Sequence, residues 1–345
     1  MTNIDRRKFT AALLGSAVAL HGSRAAADEI MLKVADSFPP NHNIATFGTK
    51  WWMERVRELS GNQVKFEYYG AEQLGKLRDL LALAQRGVAD IVYAPPNFNE
   101  GQMPLSSVHS LPNLFDTSYA GSVAFLETVM NTPILKNDFL RNRVRPLWGV
   151  MTLPYNVFTR DKPIQTVADL AGLKLKTAGG YQNDAVRLLG AVPVDIPSPE
   201  TYQALQLGTV DGAIFPTSSA KSYRVHEVAK YYTSGFNLTS FYAPYAISLR
   251  SWERLSPSIQ QAFESANREV TVRMSKNLDQ TERELLDEYR KAGVQFIRLS
   301  EDERKKVDQR LAPVFDAWRK NMRDKGLDGD AVLTYFRGAL ARVKA

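Results

Sequence analysis

The segment from Pro257 to Ala292 constrains the architecture most, because it contains no glycine and no proline after its first residue. Apolar residues recur along it at the spacing of one helix face, namely Ile259, Phe263, Ala266, Val270 and Met274. One helix of this length extends about 50 Å, which is longer than a single lobe is wide. We therefore predict a helix over about 257–292 that braces two lobes. Two shorter helices with a kink near Asn277 are the alternative.

Upstream of this segment, short apolar runs alternate with helix-like stretches. This rhythm is typical of α/β units with largely parallel sheets. Strands are predicted at Met31–Phe38, Val64–Tyr69, Asp90–Ala94, Leu173–Thr177 and Gly212–Phe215. Helices are predicted at Ala45–Leu59, Leu77–Gln85, Tyr181–Leu189 and Glu200–Leu207. The fold class is therefore α/β, in two lobes.

The first 27 residues have the order of a cleavable export signal. Arg6-Arg7 precede the apolar run Ala11–Leu20, which is too short to span a bilayer, and the small residues Ala25–Ala27 follow it. We predict cleavage before Asp28 and a periplasmic location. The paired arginines favour twin-arginine export, with a general secretory signal as the alternative.

Composition excludes several functional classes for the remaining chain. Without the signal its net charge is about +4, spread without basic runs, so no nucleic-acid surface is indicated. No later segment reaches the roughly 20 apolar residues that cross a membrane. The chain has no cysteine, so no disulfide supports it and its cores must hold it together.

Residues that carry chemistry do not form a recognisable catalytic motif. There is no glycine-rich phosphate loop, no Gly-x-Ser-x-Gly elbow and no helix with two histidines at metal spacing. The histidines beyond the signal, His42, His109 and His226, are scattered. We expect a protein that is not an enzyme and has no cofactor or metal. A periplasmic α/β hydrolase with a dispersed triad is the alternative.

An ordered set of short strings resembles the extracytoplasmic solute receptors of tripartite ATP-independent periplasmic (TRAP) transporters. The strings cover almost the whole chain after the signal. They are Ala71–Lys76, Gly87–Asp90, Leu111–Phe115, Lys162–Ile164, Asp169–Leu175, Leu189–Val194, Glu200–Gln206 and Gly208–Gly212. A binding component of another transporter type, for instance one with an ATPase, remains the alternative.

The resemblance implies a two-lobe clamp of the periplasmic-binding-protein kind, with crossing strands and the long helix. By that analogy lobe I covers 28–150, lobe II covers 151–238, and 239–345 returns to lobe I and supplies the bracing and C-terminal helices. The resemblance further implies hinge closure over a small solute, which the receptor delivers to a small and a large membrane subunit.

The same resemblance places Lys176 where family members usually carry a carboxylate-binding arginine. A lysine keeps the charge but makes a point contact on a flexible stem. The alternative is an edge-strand lysine that points to solvent. Phe215, Tyr155 and Asn156 are the neighbouring candidates, and with Lys176 they suit a monocarboxylate with an apolar or aromatic body. Ordinary core packing is the alternative for Phe215.

Two loop residues complete the predicted ligand-binding set. His42 follows the first strand and Asn97 follows the strand Asp90–Ala94, and the loops at the carboxyl ends of strands are where α/β sheets bind ligands. The alternative is that both are solvated turn residues. No carboxylate constellation for a metal is apparent.

Overall fold

The computed structural model describes residues 29–344. The predicted export signal and Asp28 lie outside the described residues. Within them the strands are β1 (Ile30–Ala35), β2 (Val64–Tyr69), β3 (Ile91–Tyr93), β4 (Val144–Met151), β5 (Asn156–Thr159), β6 (Lys174–Thr177), β7 (Val192–Asp195), β8 (Gly212–Phe215), β9 (Tyr231–Ser234), β10 (Tyr242–Ser248) and β11 (Gln295–Arg298). The α-helices are α1 (Trp51–Leu59), α2 (Leu80–Arg86), α3 (Ser118–Asn131), α4 (Tyr181–Leu188), α5 (Thr201–Gln206), α6 (Thr217–Ala220), α7 (Val225–Val228), α8 (Leu249–Trp252), α9 (Pro257–Lys291), α10 (Glu301–Asp324) and α11 (Gly329–Lys344).

The first sheet has the strand order β2-β1-β3-β10-β4, with β1 parallel to β2 and β3, and β10 antiparallel to both of its neighbours. Its core is aromatic on the side that α1 and α9 cover. The ring of Trp52 lies 5.6 Å from Phe263 and 6.2 Å from Trp148, and all three side chains are fully buried. Such rings supply much of the buried apolar area that stabilises a sheet packed on helices.

The second sheet has the order β11-β9-β5-β8-β6-β7, and β5 is antiparallel to both of its neighbours. The pairs β6–β7, β6–β8 and β9–β11 are parallel. The strand β11 follows the long helix, so the chain contributes to this sheet again after residue 239. The sequence analysis did not foresee this strand.

Two short segments carry the chain between the sheets, 152–155 from β4 to β5 and 235–241 from β9 to β10, and α9 carries it again to the second sheet at β11. These crossover segments are hydrogen bonded to each other. The amide of Thr152 donates to the carbonyl of Phe241 at 2.9 Å, and the amide of Tyr155 donates to Thr239 at 2.6 Å. The paired segments therefore form a direct connection between the two sheets.

The helix α9 is continuous over 35 residues, so the alternative of a kinked pair is wrong. The Ser256 side chain caps its start by accepting from the amide of Ile259, and Pro257 occupies the first turn, where its missing N–H costs nothing. Gly293, with φ of +96°, follows its end. Local caps and unbroken periodicity together explain why a helix of this length forms.

The same helix contacts both halves of the molecule. Its middle packs Phe263 and Val270 into the core of the first sheet. Near its end the Tyr289 hydroxyl donates to the carbonyl of Thr217 at 2.7 Å, in α6 directly after β8. The predicted α/β fold, with two sheets and one long helix spanning them, is confirmed.

Candidate solute-binding site

A cavity beside the crossover segments is lined from both halves. Its volume is about 20 Å³, room for about one water molecule, so its walls have to move apart before an organic solute can enter. Seven of its fifteen lining residues are aromatic: Phe38, Tyr93, Phe98, Tyr155, Phe215, Tyr223 and Phe241. The others are Ser37, Ile44, Leu77, Thr152, Ser198, Pro216, Ser219 and Ala243, so no lining residue carries a formal charge.

The rings are arranged in contacting pairs on opposite walls. Phe38 lies 4.6 Å from Tyr93 on the side of the first sheet, and Phe215 meets Tyr223 edge-on at 5.8 Å and 88° on the side of the second. Offset and edge-on pairs present flat apolar faces to whatever lies between them. The cavity is therefore lined by aromatic rings from both halves.

Lys176 lies on β6 next to the cavity-lining Phe215 but is not itself among the lining residues, and 1% of its surface is exposed. It pairs with Ala213, so its side chain emerges on the same sheet face as Phe215, two residues further along β8. Its Nζ lies 4.9 Å from the centroid of the Phe215 ring. Burial lowers the pKa of Lys176 to about 7, against a smaller opposing effect of Asp195. The solvent-facing alternative is wrong.

The nearest opposing charge is already engaged elsewhere. Arg78, on the side of the first sheet, binds Asp195 of β7 with an Nη2–Oδ1 distance of 3.0 Å, and its guanidinium lies over the Phe98 ring. Among residues 29–344, Lys176 has no hydrogen bond and no ion pair. A buried amine without a bonded acceptor among the described residues thus lies beside the cavity, next to the Phe215 ring.

Tyr155 and Asn156 are adjacent but lie in different environments. Tyr155 lines the cavity, and burial raises its pKa, so the phenol stays neutral. The Asn156 Oδ1 accepts from the amides of Gly235 and Phe236, each at 3.1 Å, and its Nδ2 donates to the Tyr232 hydroxyl at 3.1 Å. Asn156 is not among the lining residues, although its pairing with Phe215 puts it on the same sheet face, because its amide is engaged in these hydrogen bonds within the second lobe.

His42 supports the cavity wall from behind. It is fully buried and stacks on Phe38 at 4.3 Å. Its Nδ1 accepts from the Ile44 amide at 3.1 Å, so Nε2 carries the proton and donates to Ser219 Oγ at 3.2 Å. Burial lowers the pKa of His42 to about 3, which keeps it neutral. This bond joins the two halves of the protein.

The pairing of His42 with Ser219 lacks the features of a hydrolytic dyad. A histidine base needs a free Nε2 to accept the serine proton and an Nδ1–H that donates to a carboxylate. Here the Nδ1 is occupied as an acceptor by a backbone amide, which gives the opposite tautomer. The hydrolase alternative therefore has no support at this serine.

Asn97 is buried in the short helical turn Pro96–Phe98 that follows β3. Its carbonyl oxygen approaches Gly179 in the turn after β6, and within the described part of the chain its Oδ1 has no hydrogen-bond partner. Asn97 is not among the residues that line the cavity. Its neighbour Phe98 does line the cavity, although the sequence analysis did not single it out.

Four further wall residues were missed by sequence reasoning: Phe38, Tyr93, Tyr223 and Phe241. Phe38 and Tyr93 could have been predicted by the argument used for His42 and Asn97, because they lie at the carboxyl ends of β1 and β3. Phe241 lies in a crossover segment and Tyr223 in an irregular stretch after α6. No local pattern marks these two.

A larger groove of about 450 Å³ lies between α3, β4 and α9. All of its walls belong to elements around the first sheet, so it does not lie between the two halves. Among the described residues no group of three or more His, Asp or Glu side chains is placed to hold a metal ion. Nor does any helix between residues 29 and 344 have the length and apolarity to cross a membrane.

The sequence matches the family model of bacterial extracellular solute-binding proteins, family 7, over residues 34–321. The chain belongs to this family. It is a transport receptor and not an enzyme, as the TRAP resemblance predicted, and that prediction is confirmed. TRAP solute-binding proteins are periplasmic, bind small-molecule solutes and work with membrane subunits.

Relatives of this solute-binding protein differ in the solutes they are named for. The C4-dicarboxylate-binding periplasmic protein of Rhodobacter capsulatus is 26% identical over 324 residues, covering 90% of this chain and 93% of the relative. A TRAP solute-binding protein from Rhodoferax ferrireducens, solved with copurified benzoate, is 26% identical with a TM-score of 0.85, covering 92% and 100%.

A third relative of this solute-binding protein, from Chromohalobacter salexigens, was solved with bound D-glucuronate. It is 18% identical with a TM-score of 0.78, covering 89% of this chain and 99% of that one. At that identity the likeness shows the fold alone. The family thus establishes the scaffold and the transport role, and the solute has to be argued from the cavity.

Proposed function

We propose that this protein is the periplasmic receptor of a TRAP transporter for an aromatic monocarboxylate. Two observations together support the proposal. Seven of the residues that line the cavity are aromatic. The buried amine of Lys176 lies next to one of these rings and has no bonded anion among the described residues. The rings match a flat apolar body, and the amine matches one carboxylate. Benzoate in the related structure from Rhodoferax ferrireducens is a solute of this class.

The same walls disfavour the other solute classes found among relatives. A dicarboxylate needs a second cation, and Arg78 is committed to Asp195 at 3.0 Å. A sugar acid needs partners for several hydroxyl groups, whereas the polar lining consists of four Ser and Thr hydroxyls and the tyrosine phenols. A buried polar group without a partner costs roughly 1–3 kcal/mol. A polyhydroxylated solute would therefore bind this cavity weakly.

We further propose that the solute is captured by hinge closure at the crossover segments. Lobe I, 28–150, and lobe II, 151–238, rotate as units, and 239–345 contributes the remaining strand of lobe I and the bracing helices. The strand β11 extends the last segment into lobe II, as the sheet order supports. Export by the twin-arginine route, cleavage before Asp28 and delivery to a small and a large membrane subunit complete the proposed cycle.

Isothermal titration calorimetry with a matched set of acids tests the proposed solute class. Benzoate should bind with a stoichiometry of one, whereas succinate and D-glucuronate should bind at least tenfold more weakly. Benzamide, which keeps the ring and removes the charge, separates the two recognition elements. Tight binding of glucuronate with no binding of benzoate would refute the proposal.

A further inference from the structure

The carboxyl group of Glu100 lies at the boundary between the two halves, away from the cavity. Glu100 follows the turn Pro96–Phe98 on the side of the first sheet. It borders a second cavity of about 440 Å³ together with Gly180 and Tyr181 at the start of α4 and with Asn321 of α10. Its carboxylate therefore reaches across the interface that forms when the halves close.

The contact with Gly180 is tight enough to exclude any side chain there. A Cβ at residue 180 would overlap Oε1 of Glu100, and Gly180 has φ of +58°, which favours glycine. Among the described residues Oε1 has no hydrogen-bond partner, although it is shielded from solvent. An ionised carboxylate in that position loses its hydration without gaining a donor.

The charged groups that face Glu100 act mainly against its ionisation. Asp184 of α4 and Asp195 of β7 raise its pKa, and Lys325 after α10 lowers it. Each of the two aspartates has its own cation, since Arg187 binds Asp184 at 2.9 Å and Arg78 binds Asp195 at 3.0 Å. Burial is the largest effect, and it raises the pKa of Glu100 to about 7.

We propose that Glu100 is a proton-operated latch: its carboxyl group enters the closed interface in the neutral form, so closure takes up a proton. When the halves separate, Glu100 meets water and regains the ordinary acidity of a glutamate. Closure is then most favourable in acid, and it becomes progressively less favourable as the pH rises from about 4.5, the ordinary pKa of a glutamate, to about 7. The receptor would hold its solute more tightly in an acidic surrounding, independently of which solute it carries.

A Glu100→Gln variant isolates this effect, because the amide keeps the shape and is always neutral. The chain has no cysteine, so Val88→Cys and Leu207→Cys, at exposed positions on the two halves, accept a fluorophore pair. Single-molecule energy transfer without solute gives the ratio of closed to open molecules. At pH 8 the ratio should be up to about a hundredfold higher in Glu100→Gln than in the parent, and at pH 4, where Glu100 is protonated in both forms, the two should agree.

Glu284→Gln on the exposed face of α9 serves as the matched control, because it removes the same charge away from the interface. Equal ratios for the parent and Glu100→Gln at pH 8 would overturn the latch, as would a lower ratio in Glu100→Gln at both pH values. Lys176 is present in both proteins, so its own titration affects the parent and Glu100→Gln equally. Since no solute is added, failure of benzoate to bind would refute the proposed solute without affecting this test.

Discussion

Removing the amine of Lys176 tests the proposed carboxylate site most sharply. The pKa of this buried lysine falls from 10.5 to about 7. At 1.36 kcal/mol per pKa unit this corresponds to roughly 5 kcal/mol for burying the charged amine. A solute carboxylate that pairs with Nζ recovers a part of that cost. The ion pair should therefore contribute less than about 5 kcal/mol to binding.

Lys176→Met keeps the length of the stem and removes the charge, so a bound carboxylate would be left without a partner. We expect a loss of about 2–5 kcal/mol in binding free energy, which is a fall in benzoate affinity of about thirtyfold or more. Lys176→Arg tests the shape of the site, because a bulkier guanidinium in a space fitted to an ammonium should also weaken binding.

Calorimetry with benzoate measures both variants, with far-ultraviolet circular dichroism and a thermal melt as controls for the fold. Benzamide should bind the parent and Lys176→Met with similar affinity, since it brings no charge to the site. If Lys176→Met binds benzoate as tightly as the parent, Lys176 does not hold the carboxylate and the site proposed here is wrong.

Three further predictions concern pH and the neighbours of the cavity. In a Glu100→Gln background, benzoate affinity should fall up to about tenfold per pH unit above 7, because Lys176 loses its proton. Calorimetry that finds the same benzoate affinity from pH 6 to 9 would refute this. Asn156→Ala should lower the free energy of urea unfolding by about 2–3 kcal/mol and leave benzoate affinity unchanged, whereas the reverse pattern would mean that Asn156 contacts solute. His42→Phe keeps the stacking on Phe38 but loses the hydrogen bond to Ser219, so benzoate affinity should fall about fivefold. An unchanged dissociation constant for benzoate would show that this hydrogen bond does not stabilise the closed form.

Local sequence signals predicted the elements that depend on local physics. The strands Val64–Tyr69 and Gly212–Phe215 occur with the predicted bounds, and α9 ends within one residue of the predicted limit. Caps, glycines with positive φ and apolar periodicity each act over a few residues, so they are visible in one sequence. The strand β11 was missed because a four-residue strand between two long helices has no comparable signal.

The cavity could be anticipated only in part. The resemblance directed attention to Lys176 and Phe215, but nothing in their own segments shows that Nζ lies 4.9 Å from the ring and lacks a bonded acceptor. Tyr155 and Asn156 are consecutive, but only Tyr155 lines the cavity, because the Asn156 amide bonds Gly235, Phe236 and Tyr232, which are distant in the sequence. Distant segments also build the walls, since Phe38 and Tyr223 meet only after the two sheets are placed.

A crystal structure of the protein with bound benzoate tests the central claim most directly. The account predicts one benzoate in the cavity between the Phe38 and Phe215 walls, with a carboxylate oxygen about 2.8 Å from Lys176 Nζ. It further predicts that Arg78 still binds Asp195. A benzoate whose carboxylate binds another cation, with Lys176 left unpaired or turned away, would contradict the account.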